Sequence, residues 1–168
     1  MLIILTLDSR LLIFDSRLLT LNYMHQKNRF GKNERLCSRK LIETLFSSGK
    51  SVSAFPFRVQ YLYVSRVENE AISQVMFPVP KKRFKRAVKR NLIRRRAKEA
   101  FRLNKHLLYA DIPEGYMLIA AFIYIDSTIQ SYDSILKGIL KAFEKLKAKK
   151  PELFDNNLNS LNIRDLDS

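Results

Sequence analysis

Apolar positions along this chain change their spacing at recognisable points, and each change marks an element. From Glu34 to Phe46 the residues Leu36, Leu41, Ile42, Leu45 and Phe46 recur at mixed intervals of about one helical turn, and Ser47-Ser48-Gly49 stops the run. That predicts a first helix. Phe57, Val59, Tyr61 and Tyr63 then alternate with Arg58, Gln60 and Leu62, as in a strand with one aromatic face. Ala71 to Val79 reads as a further strand, ended by Pro78 and Pro80, which have no N–H to give to a central ladder. A basic helix follows from about Arg86 to His106, and Pro113-Glu114-Gly115 turns the chain. The unbroken apolar run from Tyr116 to Ile125 reads as a buried central strand. Ile135, Leu136, Ile139, Leu140, Phe143 and Leu146 keep helical spacing beside Lys137, Lys141, Lys145 and Lys147, an amphipathic last helix. The predicted order is helix, strands, helix, strand, helix.

The 168 residues suffice for one domain with one core. Residues 1–26 read as an N-terminal extension outside the fold, 27–150 as the domain, and 151–168 as a flexible acidic, Asn-rich tail. The extension holds a near-repeat, Asp8-Ser9-Arg10-Leu11-Leu12 and then Asp15-Ser16-Arg17-Leu18-Leu19. Its charges interrupt the apolar run, so neither a transmembrane helix nor a signal peptide fits. Met24 stands just before Lys27-Asn28-Arg29-Phe30 and is an alternative start for the chain.

Charge narrows the choice of partner. Lys and Arg total 31 against 16 Asp and Glu, a net charge of +15, which calls for a polyanion. The excess is focused. Lys81, Lys82, Arg83, Lys85, Arg86, Lys89, Arg90, Arg94, Arg95, Arg96, Lys98 and Arg102 face only Glu99 within their segment, so eleven of the fifteen excess charges lie there. On a helix Arg90, Arg94, Lys98 and Arg102 step by one turn with Asn91 and Arg95 alongside, a single basic stripe. Leu92, Ile93, Ala97, Ala100 and Leu103 are expected on the opposite, apolar side, with Lys89 and Arg96 snorkelling at its edge. Like charges at such density repel unless a polyanion meets them, and the arginine fork matches phosphate oxygens. Nucleic acid is therefore the expected partner.

Other chemistry finds little support. The lone Cys37 allows neither an internal disulfide nor a thiolate zinc cage, and it suits a reducing cytoplasm. His25 and His106 are far apart with no second ligand at metal-binding spacing. Glu68, Glu70 and Glu99 are too scattered in sequence to suggest a metal-dependent nuclease centre.

Within the basic segment, Lys81-Lys82, Ala87-Val88-Lys89-Arg90-Asn91, Ile93-Arg94-Arg95 and Glu99-Ala100-Phe101-Arg102 resemble the signature of the bacterial ribonuclease P protein family. Leu45 to Val52 is similar to the end of that family's first helix, and Gly115 to Ala120 to its last strand; the resemblance covers about Lys27 to Lys150. Leu92 stands where the family usually has an arginine and Arg96 where an apolar residue is usual. These two lie one turn apart on one helical side, so the charge is displaced rather than lost. Ala121-Phe122 also departs from the family, which commonly has a basic residue after its alanine.

The resemblance implies an α+β fold of order α-β-β-β-α-β-α. Three helices cover a mixed sheet of about four strands, as in a ribosomal-protein domain, with a left-handed β-α-β crossover against the usual hand. It implies a protein subunit that assists a catalytic RNA, with Mg²⁺ held mainly by that RNA, in removing the 5′ leader of precursor tRNA. Catalytic residues are then expected in the RNA and none in the protein. The expected RNA contacts are Lys81, Lys82, Lys85, Arg86, Lys89, Arg90, Asn91, Arg94, Arg95, Lys98 and Arg102. A groove between the first helix and the sheet is implied for the leader, with Phe46, Phe57, Tyr61 and Tyr63 as stacking candidates and Lys50 and Arg58 as cations. The partners implied are ribonuclease P RNA and precursor tRNA, in the cytoplasm, with no membrane and no small-molecule substrate. A ribosomal-type RNA-binding protein, a protein-only nuclease and a DNA-binding regulator are the rival readings.

Overall fold

The computed structural model describes residues 29–67 and 70–149. The proposed extension, the acidic tail, His25 and Glu68 lie outside the described residues. The elements are α1 (Arg39–Ser48), β1 (Lys50–Ala54), β2 (Phe57–Ser65), β3 (Ser73–Met76), α2 (Ala87–Tyr109), β4 (Tyr116–Tyr124) and α3 (Tyr132–Ala148). The four strands form one sheet in the order β1-β2-β4-β3. β1 and β2, and β2 and β4, are antiparallel, whereas β3 runs parallel to β4, so α2 is the crossover between two parallel neighbours. This is the expected α+β arrangement of three helices and a mixed four-stranded sheet.

β4 is central and buried along most of its length because helices cover both of its faces. On one face Val59, Tyr61, Val75, Ala120 and Phe122 pack with Ile93, Ala97 and Phe101 of α2 and Ile135, Ile139 and Phe143 of α3. On the other, Val64, Met117, Ile119 and Ala121 pack with Leu41 and Leu45 of α1. The turn into β4 has Gly115 at a φ of 79°, a left-handed conformation that glycine reaches without a Cβ clash.

Two boundaries differ from their sequence expectation, and one strand, β1, has no counterpart in the pattern of apolar positions. α1 begins at Arg39 rather than Glu34: Glu34 to Leu36 instead extend the sheet beside β3, with Val75 N–H donating to the Glu34 carbonyl at 2.8 Å and Leu36 N–H to the Val75 carbonyl at 3.1 Å. β3 is confined to Ser73–Met76, and the proline-rich stretch beyond it becomes a loop. β1 is a short edge strand whose Val52 and Ala54 alone point inward, too brief a pattern to stand out in sequence. α3 is capped by Ser131, whose hydroxyl accepts from Ser134 N–H at 3.2 Å, and it places Asp133 in its first turn and lysines in its last, as the helix dipole favours.

Candidate nucleic-acid interface

The loop before α2 and the solvent side of α2 carry the cations. Phe84 is buried against Tyr124, with ring centroids 6.0 Å apart, and it pins a turn in which Arg83 and Phe84 N–H groups donate to the Pro80 carbonyl at 3.2 and 3.3 Å. Around this anchor Lys81, Lys82, Arg83, Lys85 and Arg86 are exposed. Asn91, Lys89, Arg95 and Lys98 continue the exposed surface along the helix, and Arg94 is half-buried. Among the described residues, no carboxylate pairs with any of these cations. The first turn of α2 also lacks an acidic residue and a side-chain cap, so its positive pole reinforces the field.

Not every cation of the predicted stripe faces outward for a partner. Arg90 turns back to the loop, donating to the carbonyls of Phe84 at 2.8 Å and Lys85 at 2.6 Å. It is a positioning residue that sets the loop against the helix. Arg102 makes two bonds to Glu99, at 2.9 and 2.7 Å, and this pairing holds the Glu99 carboxyl below its ordinary pKa. Arg96, expected to snorkel, donates to the Gln130 carbonyl at 2.6 Å and ties α2 to the loop before α3.

The apolar side of α2 also needs correction. Ile93, Ala97 and Ala100 are buried as expected, together with Phe101 and Leu108, whereas Leu92 and Leu103 are about 40% exposed. Leu92 and Arg96 line the same broad depression of about 940 Å³, where Arg96 is held to the Gln130 carbonyl. Arg95, Lys98 and Arg102 reach it from α2, Tyr132 from α3, and Arg29 and Arg35 from the N-terminal segment.

Arg29, Arg35 and Tyr132 carried no linear signal, because a buried network far from them in sequence brings the segment here. Lys105, only 5% exposed, pairs with Glu34 and also donates to the Arg29 carbonyl at 2.7 Å. The Tyr109 hydroxyl donates to Glu34 at 2.7 Å, and Glu34 accepts from Gly31 N–H at 2.7 Å.

The implied leader groove is rearranged by the strand alternation. Phe57, Tyr61 and Tyr63 are buried on the α2 and α3 side of the sheet and cannot stack on RNA. Their burial against two helices is the favourable use of large aromatic area. Burial, with Tyr61 close by, pushes the Tyr63 phenol up to about 12. Lys50 is in register with Tyr61 and shares the parity of Val52 and Ala54, so it too belongs to that side. Arg58, paired across β1 with Ser53, is on the α1 side, exposed and donating to Ser51 Oγ at 3.3 Å. Phe46 is 48% exposed on α1. Gln60, which the sequence did not single out, donates to the Gly49 carbonyl at 2.8 Å and holds the end of α1 on this face.

The sequence model of the family described as Ribonuclease P matches residues 30–147. The chain belongs to the ribonuclease P protein family. The ribonuclease P protein component of Porphyromonas gingivalis is 36% identical over 121 residues, spanning 71% of this chain and 88% of that one. Among solved structures, the RNase P protein from Thermotoga maritima matches with a TM-score of 0.51 at 23% identity, covering 67% of this chain and 96% of its own. A Staphylococcus aureus RNase P protein mutant with defective mRNA degradation activity matches with a TM-score of 0.52 at 19% identity, covering 69% and 90%. These structural likenesses carry the fold. The family match spans α1 to nearly the end of α3, so the basic loop and α2 lie wholly within it. Among the described residues no helix is long and apolar enough to cross a membrane.

Proposed function

We propose that this chain is the protein subunit of a ribonuclease P that works with a catalytic RNA to remove the 5′ leader of precursor tRNA. One observation carries the reading: Lys81, Lys82, Arg83, Lys85, Arg86, Lys89, Arg94, Arg95 and Lys98 form one surface that no carboxylate of the described residues neutralises. Such a surface releases counterions from RNA phosphates, and the arginine forks position the protein on the backbone without reading sequence.

The leader is assigned to the α1 side of the sheet. Phe46 and Arg58 remain there from the implied groove, beside Gln60 and the half-buried Met76 and Ile123. An exposed aromatic with a nearby cation suits a single strand. The proposal assigns Mg²⁺ mainly to the RNA; among the described residues no three His, Cys, Asp or Glu side chains come together.

Reconstitution tests the reading. The full chain, mixed with ribonuclease P RNA at a Mg²⁺ concentration where the RNA alone is slow, is expected to restore cleavage of precursor tRNA at the mature 5′ end. Binding without restored cleavage would favour a ribosomal-type RNA-binding protein. Cleavage by the chain with no RNA present would favour a protein nuclease.

A further inference from the structure

The sheet has a second charged border, on the edge away from β3. There β1 and the C-terminal half of α3 enclose a groove of about 340 Å³ lined by Ser51, Val52, Ser53, Lys145, Ala148 and Lys149. At its upper end the β1–β2 turn projects Phe55, which at 59% is the most exposed aromatic among the described residues. The turn is seated firmly. A Cβ at Gly138 of α3 would lie 2.6 Å from Pro56 Cδ and 2.7 Å from the Phe55 carbonyl oxygen, so glycine alone lets the turn rest on the helix.

The groove is rich in donors. Lys145 Nζ reaches the Ser53 carbonyl at 2.6 Å from the open side. By the alternation of an antiparallel ladder, the backbone groups of Ser51 and Ser53 therefore point away from β2, and their N–H groups face the groove. Lys141 lies one turn before Lys145 and three residues after Gly138, hence on the same flank of α3. Lys50 stands exposed at the start of β1. Glu144 projects about a quarter-turn away from Lys145 around the helix. An added peptide strand would need alternating donors and acceptors along this edge, and Lys145 already occupies one of the outward acceptors.

We propose that this border is a second RNA-binding surface, distinct from the α2 face, that takes a single strand: phosphates along Lys141, Lys145, Lys149 and the outward N–H groups of β1, and one base stacked on Phe55. It rests on the reading of the chain as an RNA-binding subunit. An aromatic platform beside a row of cations is the general solution for single strands, whereas a duplex offers no unstacked base to Phe55.

Photocross-linking in the reconstituted holoenzyme with precursor tRNA separates the two claims. p-Benzoylphenylalanine is placed at position 55 in one preparation and at position 92, on α2, in another. Both are expected to label RNA, position 55 at nucleotides that are single-stranded and different from those labelled from position 92. Labelling from 92 with none from 55, or labelling from 55 confined to duplex, overturns the second surface and leaves the proposed function standing. Labelling from neither position overturns both. In parallel, Phe55→Ala is expected to weaken holoenzyme binding about tenfold while Phe55→Trp retains it. Equal affinities for the two variants, with unchanged melting, would also overturn the proposal.

Discussion

Two sets of cations on α2 are close in sequence and opposite in use. Lys105, Arg96 and Arg90 each end on an oxygen of the protein: Glu34 and the Arg29 carbonyl, the Gln130 carbonyl, and the carbonyls of Phe84 and Lys85. Arg94, Arg95 and Lys98 have no such partner among the described residues and border the surface depressions. The first set builds the platform, and the second is left for a partner. A charge count along the helix treats them alike; the acceptors they reach separate them.

The largest expected effect lies in the first set, at its one buried member. Lys105→Met leaves the half-buried Glu34 without its cation, and chemical denaturation is expected to show a loss of about 3 kcal/mol. A loss below about 1 kcal/mol would place Lys105 with the open set. The alkaline limb of stability sharpens the same divide. Because the folded Tyr63 phenol is raised to about 12, its contribution is whole below the ordinary phenol pKa near 10 and is lost as pH climbs from there through 12. Tyr63→Phe should flatten the fall in stability over that window by up to about 1.4 kcal/mol per pH unit, read from melts at successive pH values. An identical slope in parent and variant would contradict the burial argument.

The open set should behave in the reverse way. The triple variant Arg94→Ala, Arg95→Ala, Lys98→Ala is expected to change stability by no more than about 0.5 kcal/mol per site. Its RNA affinity should lose salt dependence, with the slope of log K against log salt falling by about 2 to 3. An unchanged slope would remove these residues from the phosphate-contacting surface. Smallest is the exposed pair between. Glu99→Gln frees Arg102 from its carboxylate at a cost of about 0 to 1 kcal/mol in stability. A slight gain in RNA affinity is expected, and a clear loss would make Glu99 part of the contact.

Much of the architecture was written in local pattern. The period-two alternation of β2, the continuous apolar β4, the proline stop after β3 and the one-sided α3 follow from burial on a pleated or helical surface, and they need no knowledge of the neighbours. The concentration of charge between Lys81 and Arg102 was equally plain, and so was the polyanion it calls for.

Only the tertiary structure decided which side of each element meets protein and which meets solvent. Alternation placed Phe57, Tyr61 and Tyr63 together on one face, but whether that face was platform or core depended on α2 and α3 packing over it. Spacing likewise could not foresee that Glu34, 71 residues before Lys105, would neutralise it and carry Arg29 and Arg35 to the basic depression. Local sequence sets the period of an element because that depends on its own backbone geometry. The fate of a cation or an aromatic depends on desolvation and on partners that only the folded chain brings near.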